Sequence, residues 1–415
     1  MQVRYRYRIE PTPAQMEEFA KVFGCCRVVF NDAVRLRNES FRAGIRLSDT
    51  EIQRRVITVA KTTEEREWLR EVPSVALVQA VGDARRAFKN FVDSCTGKRR
   101  GRKVGRPRFR SRKNGRQSFR LTRNGFTLRS NGKVCVAKVG EVRVRWSRPL
   151  PSVPSSVTII REPDGRFYAS FVVEVAKVTL LDAVGSECGV DLGLARLATI
   201  ATNEGGRVDI ANPKHLHRKT RKLARLQRQL SRKAPDAANR AEFRRRVAVQ
   251  HLKVARARRD YHHKQALRLV RENQTIYVED LNIVGMIRNR RLARAIADAG
   301  WRQFVQVISG KCEQYGRRLV RVDRWLPSSK TCSECGYVMD SLPLGVRAWA
   351  CPVCNHVHDR DFNAARNILA AGRAERLNAS HEGGAIVVDG CRGAPVRPPE
   401  WEARSVEAGS NSDAA

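Results

Sequence analysis

Two cysteine pairs near the end of the chain constrain its fold more than any other feature. Cys332-x-x-Cys335 and Cys351-x-x-Cys354 are separated by fifteen residues. Four thiolates at this spacing can enclose one metal ion in a tetrahedron, which is the arrangement of a structural zinc ribbon. The sequence therefore predicts a ribbon over residues 331–355 that binds one Zn²⁺ through all four cysteines.

A carboxylate lies on the short helix that is predicted to follow this ribbon. Asp361, Ala365 and Ile368 share one helical face at i, i+4 and i+7 spacing. The face is otherwise small and apolar, so Asp361 is predicted to point into the protein. A buried carboxylate is costly unless it is paired or binds a metal ion.

Two apolar runs upstream each carry a further carboxylate. In GVDLG, residues 189–193, the period of a strand places Asp191 on the face opposite to its apolar neighbours. TIYVEDL, residues 275–281, is a second strand of the buried type and contains Glu279 near its end. Three carboxylates on separate elements are what a two-metal phosphodiesterase site requires, with two Mg²⁺ ions about 3.5–4 Å apart.

Each carboxylate alone also fits a simpler role. Asp191 could be a turn residue, Asp361 a helix N-cap, and Glu279 an exposed neighbour of Asp280. Taken together, however, GVDLGLARLATI, YVEDLN and PSSKTCSECG…CPVCNHVHDRDFNAARNI resemble the TnpB family. These are transposon-encoded RNA-guided nucleases related to type V CRISPR effectors. The resemblance spans roughly residues 1–372 and is strongest from Gly189 onward.

The resemblance implies an α/β nuclease domain of the RNase H-like (RuvC) class with the zinc ribbon inserted into it. Asp191, Glu279 and Asp361 match the family's triad, so it implies that they are catalytic residues and Mg²⁺ ligands. It also implies a guide RNA, derived from the transposon end, and a double-stranded DNA target beside a short recognised motif. All three carboxylates are present, so the sequence gives no sign of an inactivated relative.

The charge of the chain independently predicts a polyanionic partner. Lysine and arginine number 80 against 42 acidic residues, a formal net charge of +38. Solvated helix faces do not need such an imbalance, whereas binding to phosphates releases condensed counterions. A membrane surface would also attract this charge, but the sequence shows no long apolar run and no amphipathic anchor.

The start of the chain has no apolar signal region. Its eleven cysteines, four of them in the ribbon, fit a reducing compartment better than a disulfide framework. We therefore predict a protein of the cytoplasm without a membrane partner. We also expect a bacterial monomer that associates with the nucleoid when it is bound to DNA.

A helical segment is predicted to interrupt the strands of the first half of the chain. Residues 1–10 alternate as a strand, and helical periodicity runs from Pro13, with interruptions, to about Cys95. Segment 11–95 resembles the N-terminal helical part of TnpB proteins, once described as a helix-turn-helix. Its apolar stripes are long and delimit no compact three-helix unit, which favours a recognition lobe that clamps nucleic acid.

Segment 96–180 is predicted to combine a basic stretch with an all-β part. Residues 126–176 alternate as strands, and Asp164-Gly165 is the expected turn of a hairpin. Together with residues 1–10 these strands are predicted to form a small β-barrel. In the family this is the wedge domain, which holds the guide RNA scaffold.

The basic stretch itself runs from Gly97 to Arg120. Half of it, 12 of 24 residues, is Lys or Arg, and none is acidic. A disordered linker is the simpler interpretation, but Phe109 and Phe119 interleave with the arginines, and RPRFRSR resembles a family motif. Guanidinium contacts and aromatic stacking suit nucleic acid. The predicted nucleic-acid-binding residues are Arg106, Arg108, Phe109 and Arg110.

The predicted nuclease segment, residues 181–330, contains two basic helices over residues 214–272. Between 214 and 233 nine residues are Lys or Arg and none is acidic, so i,i+4 ion pairing cannot account for the charge. A helix face against nucleic acid is favoured, formed by Lys214, Arg218, Arg221 and Arg225. Residues 356–372 are the last nuclease segment, and the tail 373–415 is predicted to be disordered and dispensable.

The leading function is an RNA-guided DNA endonuclease, in which protein charge holds a duplex by its backbone while base pairing supplies the sequence. A transposase or accessory protein of an insertion sequence is less favoured, because the chain shows no second catalytic centre such as a tyrosine nucleophile beside a His-x-His pair. A guided DNA-binding repressor is disfavoured because no member of the triad is lost.

Overall fold

The computed structural model describes residues 2–99, 101–112, 115–175, 180–343 and 345–381, with side chains described to residue 377. The chain forms two compact units, residues 1–178 with 218–256 and residues 179–217 with those from 257 onward. The fold is mixed α/β. The predicted boundaries keep 214–272 within the nuclease segment, whereas residues 218–256 group with the first unit.

The helices lie between and after the strands. In chain order they are α1 (Pro13–Arg42), α2 (Asp49–Gln53), α3 (Ser74–Cys95), α4 (His215–Ser231), α5 (Ala238–Glu272), α6 (Ile283–Met286), α7 (Arg290–Ala299), α8 (Trp301–Tyr315) and α9 (Arg360–His381). The strands are β1 (Gln2–Glu10), β2 (Gln117–Thr122), β3 (Phe126–Leu128), β4 (Lys133–Val136), β5 (Gly140–Arg145), β6 (Ser156–Arg161), β7 (Phe167–Glu174), β8 (Glu187–Asp191), β9 (Arg196–Thr202), β10 (Arg207–Ala211), β11 (Thr275–Glu279), β12 (Arg318–Val322), β13 (Ala348–Ala350) and β14 (Val357–Asp359).

The first unit contains a seven-stranded antiparallel sheet in the order β2-β6-β7-β1-β5-β4-β3. The alternation of β1 is confirmed, since Tyr7 and Ile9 are buried on its apolar face. The predicted hairpin is also confirmed: Gly165 takes a left-handed φ of 82° in the turn between β6 and β7. Among the described residues no hydrogen-bonded pairing joins β2 to β3. In the part of the chain that the structure describes, the sheet is therefore open between β2 and β3, where the sequence predicts a small β-barrel.

Helix α1 is a single long helix in the predicted helical lobe. Thr12 caps it in a capping box with Gln15, and Pro13 occupies the first turn, as these residues prefer. The helix then continues for 30 residues to Arg42 without a turn. Its buried stripe packs with α3 and β2, where Phe119 lies 5.2 Å from the ring of Phe23.

The second unit is built on a five-stranded sheet in the order β10-β9-β8-β11-β12. Strands β8, β9 and β10 pair antiparallel, whereas β11 runs parallel to both β8 and β12. Alternate residues of β11 face different helices. Ile276 and Val278 share a core with Phe304 of α8, whereas Tyr277 packs against Leu369 of α9. Helix α9 thus covers the face of the sheet opposite to α8.

Two glycines let α9 lie directly on this sheet. A Cβ atom at Gly189 would sit 2.1 Å from the carbonyl oxygen of Ala365 in α9. A Cβ atom at Gly372, within α9, would sit 2.2 Å from the ring of Tyr277 on β11. Any larger residue at either position would force the helix and the strand apart.

The end of α9 corrects the predicted start of the disordered tail. The helix continues to His381, and Arg373 lies 2.9 Å from the buried carboxylate of Glu187. Arg376 pairs with the same carboxylate. Arg373 and Arg376 therefore attach this part of α9 to β8, while residues 382–415 of the predicted tail lie outside the described residues. Within the described chain, no helix is both long and apolar enough to cross a membrane.

Candidate active site and cysteine cluster

Strand register brings Asp191 and Glu279 side by side. Each is the last residue of its strand, β8 and β11, which run parallel. The register pairs Gly189 with Tyr277, so the residues two positions further along are again neighbours. Since the period of a strand is two, both carboxylates lie on the face that α9 covers. They also lie at the carboxyl ends of parallel strands, where α/β sheets place their ligands.

Helix α9 supplies the third carboxylate. It touches Gly189 through Ala365, which is about one helical turn after Asp361. One helical turn advances about as far as the two strand residues from Gly189 to Asp191. Asp361 therefore lies beside Asp191. Asp359 is the residue that caps α9, because its side chain accepts a 3.0 Å hydrogen bond from the backbone N–H of Phe362. The simpler interpretation of Asp361 as the cap is therefore wrong.

The environment of two of the carboxylates at this edge raises their pKa values. Burial, together with the negative charges of Asp361 and Glu279, raises the pKa of Asp191 to about 7. Burial also raises the pKa of Glu279. In both cases the main cause is the removal of the carboxylate from water, which disfavours its charged form. Such shifts cluster at functional sites, which makes this edge the candidate active site.

Two arginines that the sequence did not single out flank Asp361. Arg347 lies 3.3 Å from one carboxylate oxygen, and Arg196 lies 3.5 Å from the other. Arg196 also lies 3.2 Å from Asp209 on β10. The tight connection from β8 to β9 could have placed Arg196 near Asp191, but no pattern in the sequence points to Arg347, which precedes β13.

The four predicted zinc ligands come together as a cluster. Sγ of Cys332 lies 3.6 Å from Sγ of Cys354, and Sγ of Cys335 lies 3.5 Å from Sγ of Cys351. A tetrahedral site with Zn–S bonds of about 2.3 Å needs sulfurs about 3.8 Å apart. The donor set and its spacing therefore fit Zn²⁺.

Each half of the cluster is shaped by a tight turn. The N–H of Gly336 donates to the carbonyl oxygen of Cys332, and the N–H of Asn355 donates to that of Cys351, both at 2.9 Å. Gly336 and Asn355 have left-handed φ angles of 77° and 57°. Such conformations favour Gly and Asn, which follow the second cysteine of each pair.

The cluster is tied to the start of α9. Asn363 is buried, donates to the carbonyl oxygen of Thr331 at 2.7 Å and accepts from the N–H of Ser333 at 3.0 Å. Asn367, one turn later, also binds Thr331 at 2.7 Å. His358 lies 3.0 Å from Sγ of Cys332, beside the cluster rather than in it. The ribbon therefore fixes the helix that carries Asp361.

The two sites differ in how tightly their ligand atoms are gathered. In the described parts of the chain, the cysteine quartet is the one group of three or more His, Cys, Asp or Glu side chains whose ligand atoms all lie within 4.8 Å of one another. Asp191, Glu279 and Asp361 are neighbours at one edge but do not form so close a group.

The basic segment of the first unit divides into exposed and anchored residues. Arg106, Arg108 and Phe109 are exposed, Phe109 at 61%. Arg110 is held within the protein: it lies 3.1 Å from Asp83 and 3.7 Å over the ring of Phe30. Its main chain also exchanges two hydrogen bonds with Asn31. Phe119, which the sequence suggested for stacking, is buried in the core.

The predicted basic face after β10 is exposed. Lys214, Arg218, Arg221 and Arg225 are all solvent-accessible, and Leu223 is the buried residue of α4. Within the described residues none of these four side chains lies in an ion pair with an acidic group. The face is therefore free to contact phosphates.

The fold and the two sites place this protein among strongly basic α/β proteins. Such a protein has carboxylates at one edge of its sheet and a cluster of four cysteines. A family model described as a probable transposase matches residues 170–290, one for the TNB domain of Cas12f1-like proteins matches residues 301–368, and one for a helix-turn-helix domain matches residues 1–46. The last covers β1 and α1, where the structure has a single long helix.

Curated relatives extend the likeness to nearly the whole chain. A protein of Streptomyces pristinaespiralis, named as a candidate RNA-guided DNA endonuclease, is 43% identical over 373 residues, 89% of each chain. The Escherichia coli K12 protein InsQ, named in the same way, is 30% identical over 385 residues, 89% of this chain and 92% of its own. The chain belongs to the TnpB family.

A solved structure shares the fold at low sequence identity. The Cas12f1 chain of a complex with sgRNA and target DNA superposes with a TM-score of 0.54 at 15% identity, over 85% of this chain and 82% of that one.

Proposed function

We propose that this protein is a transposon-encoded, RNA-guided DNA endonuclease whose Asp191, Glu279 and Asp361 hydrolyse phosphodiester bonds. The observation that carries the proposal is the meeting of these carboxylates, from β8, β11 and α9, at one edge of the sheet in a member of this family. An antiparallel β8-β9-β10 meander extended by parallel β11 and β12 is the topology expected of an RNase H-like (RuvC) domain, and it supports the assignment.

Mg²⁺ fits the proposed active site because the donors are hard carboxylate oxygens from three neighbouring side chains. Asp191, Glu279 and Asp361 would hold it; a bound pair of such ions activates water and stabilises the leaving oxygen. Arg196 and Arg347 offset the charge of Asp361 and attract the phosphate backbone to this edge. Zn²⁺ in the cysteine cluster would be structural, since four thiolates leave no open position.

The first unit is proposed to bind the guide RNA. Its curled sheet would be the wedge domain, and the exposed Arg106, Arg108 and Phe109 would contact RNA by charge and stacking. Arg110 belongs to the anchor that holds this segment, so its proposed part in binding is indirect. The exposed basic face of α4 would contact the nucleic-acid backbone. We also propose that the protein is a monomer and that it recognises a short motif beside its DNA target. It would act at the nucleoid in the cytoplasm.

Replacement of each carboxylate tests the proposal. Asp191→Ala, Glu279→Ala and Asp361→Ala are each expected to lower guided cleavage with Mg²⁺ by roughly a thousandfold or more, because each ligand is needed to hold the metal pair. Nucleic-acid binding should stay within about twofold of wild type. Asp260→Ala, which removes an exposed carboxylate paired with Lys264 on α5, is the matched control.

A variant that retains a near wild-type rate would remove that residue from the proposed triad. The family model's description favours one alternative, a transposase. A transposase would join cut DNA ends to a second DNA molecule, so joined products in the same reactions would support it, and their absence with guided cleavage present would reject it.

A further inference from the structure

His358 is a buried histidine that is neither a member of the cysteine cluster nor part of the carboxylate edge. It is 4% exposed and lies on β14, where the strand register pairs it with Trp349 of β13. Four thiolates already complete a tetrahedral zinc site, so His358 is not needed as a ligand. A buried imidazole nevertheless requires hydrogen-bond partners, and the identity of its partner indicates its role.

The partner of His358 is the sulfur of Cys332. Nε2 of the imidazole lies 3.0 Å from this sulfur, and the two residues are 26 positions apart in the chain. Both side chains are buried, so the contact lies away from bulk water. A thiolate that binds Zn²⁺ carries no hydrogen, so in the zinc-bound protein Nε2–H must donate and the sulfur must accept. A hydrogen bond to a charged acceptor is stronger than one between neutral groups.

The donor to Cys332 differs in origin from the donors to two other cysteines of the cluster. The sulfurs of Cys335 and Cys354 accept hydrogen bonds from backbone N–H groups two residues further along, at Tyr337 and His356. Those donors belong to the same local turns as the cysteines. The donor to Cys332 is a side chain on another strand, so a substitution can remove it without changing either turn.

The imidazole of His358 is held in place by neighbouring rings. The ring centroids of Trp349 and His356 lie 4.7 and 4.6 Å from its own. Asp361, in the first turn of α9, follows His358 by three residues. The hydrogen bond to Cys332 therefore joins the cysteine cluster to the chain segment that carries a proposed catalytic carboxylate.

We propose that His358 is a positioning residue of the zinc site, which orients the Cys332 thiolate for Zn²⁺ by donating a hydrogen bond to its sulfur. Groups that bond to metal ligands in this way fix their orientation, and their loss typically lowers metal affinity roughly 10–100-fold. The bond also withdraws electron density from the sulfur. The inference rests on the proposed function only in taking Zn²⁺ as the metal of the cluster.

The first test measures the zinc affinity of the full-length protein by competition with a chelator. His358→Phe keeps a ring against Trp349 but removes the donor, so the Kd for Zn²⁺ should rise by about tenfold or more. His358→Gln, whose amide N–H can still donate, should stay within about threefold of wild type. His356→Phe makes the same change at an exposed histidine and should alter the Kd by less than about twofold.

A spectroscopic measurement separates this role from a general loss of folding. Co²⁺ is loaded in place of Zn²⁺, and the thiolate-to-metal charge-transfer band in the near ultraviolet is recorded for each variant. A thiolate that loses a hydrogen bond is richer in electrons, so the band should move to longer wavelength in His358→Phe. It should keep its wild-type position in His358→Gln and His356→Phe. A ribbon that merely unfolds would lose band intensity without this shift.

An unchanged Kd in His358→Phe would overturn the inference and leave Zn²⁺ in the cluster. A raised Kd without a band shift, or an equal rise in His356→Phe, would also overturn it, because packing alone would then account for the loss. A wild-type protein that binds no zinc would overturn both the inference and the zinc assignment. Neither measurement involves nucleic acid, so the nuclease proposal stands or falls separately, by guided cleavage.

Discussion

The cysteine cluster and the carboxylate edge adjoin the same helix, but they are assembled in opposite ways. Local turns at Gly336 and Asn355 shape the two cysteine pairs, and the pairs meet with sulfur–sulfur distances of 3.5 and 3.6 Å. The carboxylates come from three elements that are distant in sequence, and burial together with their mutual repulsion raises the pKa of Asp191 to about 7. A structural metal site is thus a property of short chain segments, whereas a catalytic one depends on how α9 packs on the sheet.

Apart from replacing the carboxylates themselves, the largest expected effect comes from disturbing the packing of α9 on the sheet. Gly189→Ala should lower guided cleavage by a hundredfold or more and the free energy of unfolding by roughly 1–3 kcal/mol, because its Cβ would meet the carbonyl oxygen of Ala365 at 2.1 Å. Zinc content should not change. Gly310→Ala, in open space on α8, is the control. A Gly189→Ala enzyme with wild-type rate and stability would show that α9 does not set the position of Asp361.

Removal of a zinc ligand should disturb the edge indirectly. Cys332→Ser is expected to reduce bound zinc below about half an equivalent, since four thiolates close the site. Guided cleavage should fall about tenfold although no carboxylate changes, because Asn363 and Asn367 lose the ribbon carbonyls that hold α9. Metal analysis and cleavage rates are measured on the same preparation.

Cys95→Ser, which alters an exposed free thiol outside the cluster, should leave zinc and rate unchanged. If Cys332→Ser protein lost its zinc but cleaved at the wild-type rate, the ribbon would not support the active site.

The end of α9 offers a smaller and sharper test. A chain ending at residue 372 loses Arg373 and Arg376 and leaves the buried carboxylate of Glu187 without its two cations. Its free energy of unfolding in urea should be roughly 1–3 kcal/mol below that of a chain ending at residue 381. Glu187→Gln should recover part of the loss in the shorter chain only. Equal stability of the two truncated chains would mean that these ion pairs contribute nothing.

The smallest expected effect is a pH dependence of stability at the carboxylate edge. The pKa of Asp191 is about 7 in the folded protein and about 3.9 in the unfolded chain. Between these values the folded state holds a proton that the unfolded state has lost, so this group makes the free energy of unfolding decrease as pH rises. In chelator, Asp191→Asn should therefore gain on the order of 1 kcal/mol over wild type between pH 5 and 7. A difference that is constant with pH would contradict the raised pKa.

Local patterns in the sequence were sufficient for much of this structure. The period of β1, the start of α1 at Pro13, the Asp164-Gly165 turn and the cysteine spacing each depend on a few adjacent residues, and each is found.

What the sequence could not supply depends on distant contacts. Phe119 looked available for stacking but fills the core beside Phe23, and Arg110 looked free but is paired with Asp83. Residues 373–377 looked like a tail because Glu187, their partner, is nearly two hundred residues away. Arg347 approaches Asp361 only once the ribbon has folded back on α9. No local period or propensity encodes such pairs.

The central claim, cleavage at the carboxylate edge under the direction of RNA, has one direct test. RNA that co-purifies with the protein from its host is sequenced, and protein loaded with that RNA is given Mg²⁺ and two plasmids, one matching the guide segment and one not. We predict cleavage of the matching plasmid alone, and none by the Asp191→Ala protein. Cleavage of both plasmids at full rate by RNA-free protein, unchanged by added RNA, would contradict the account.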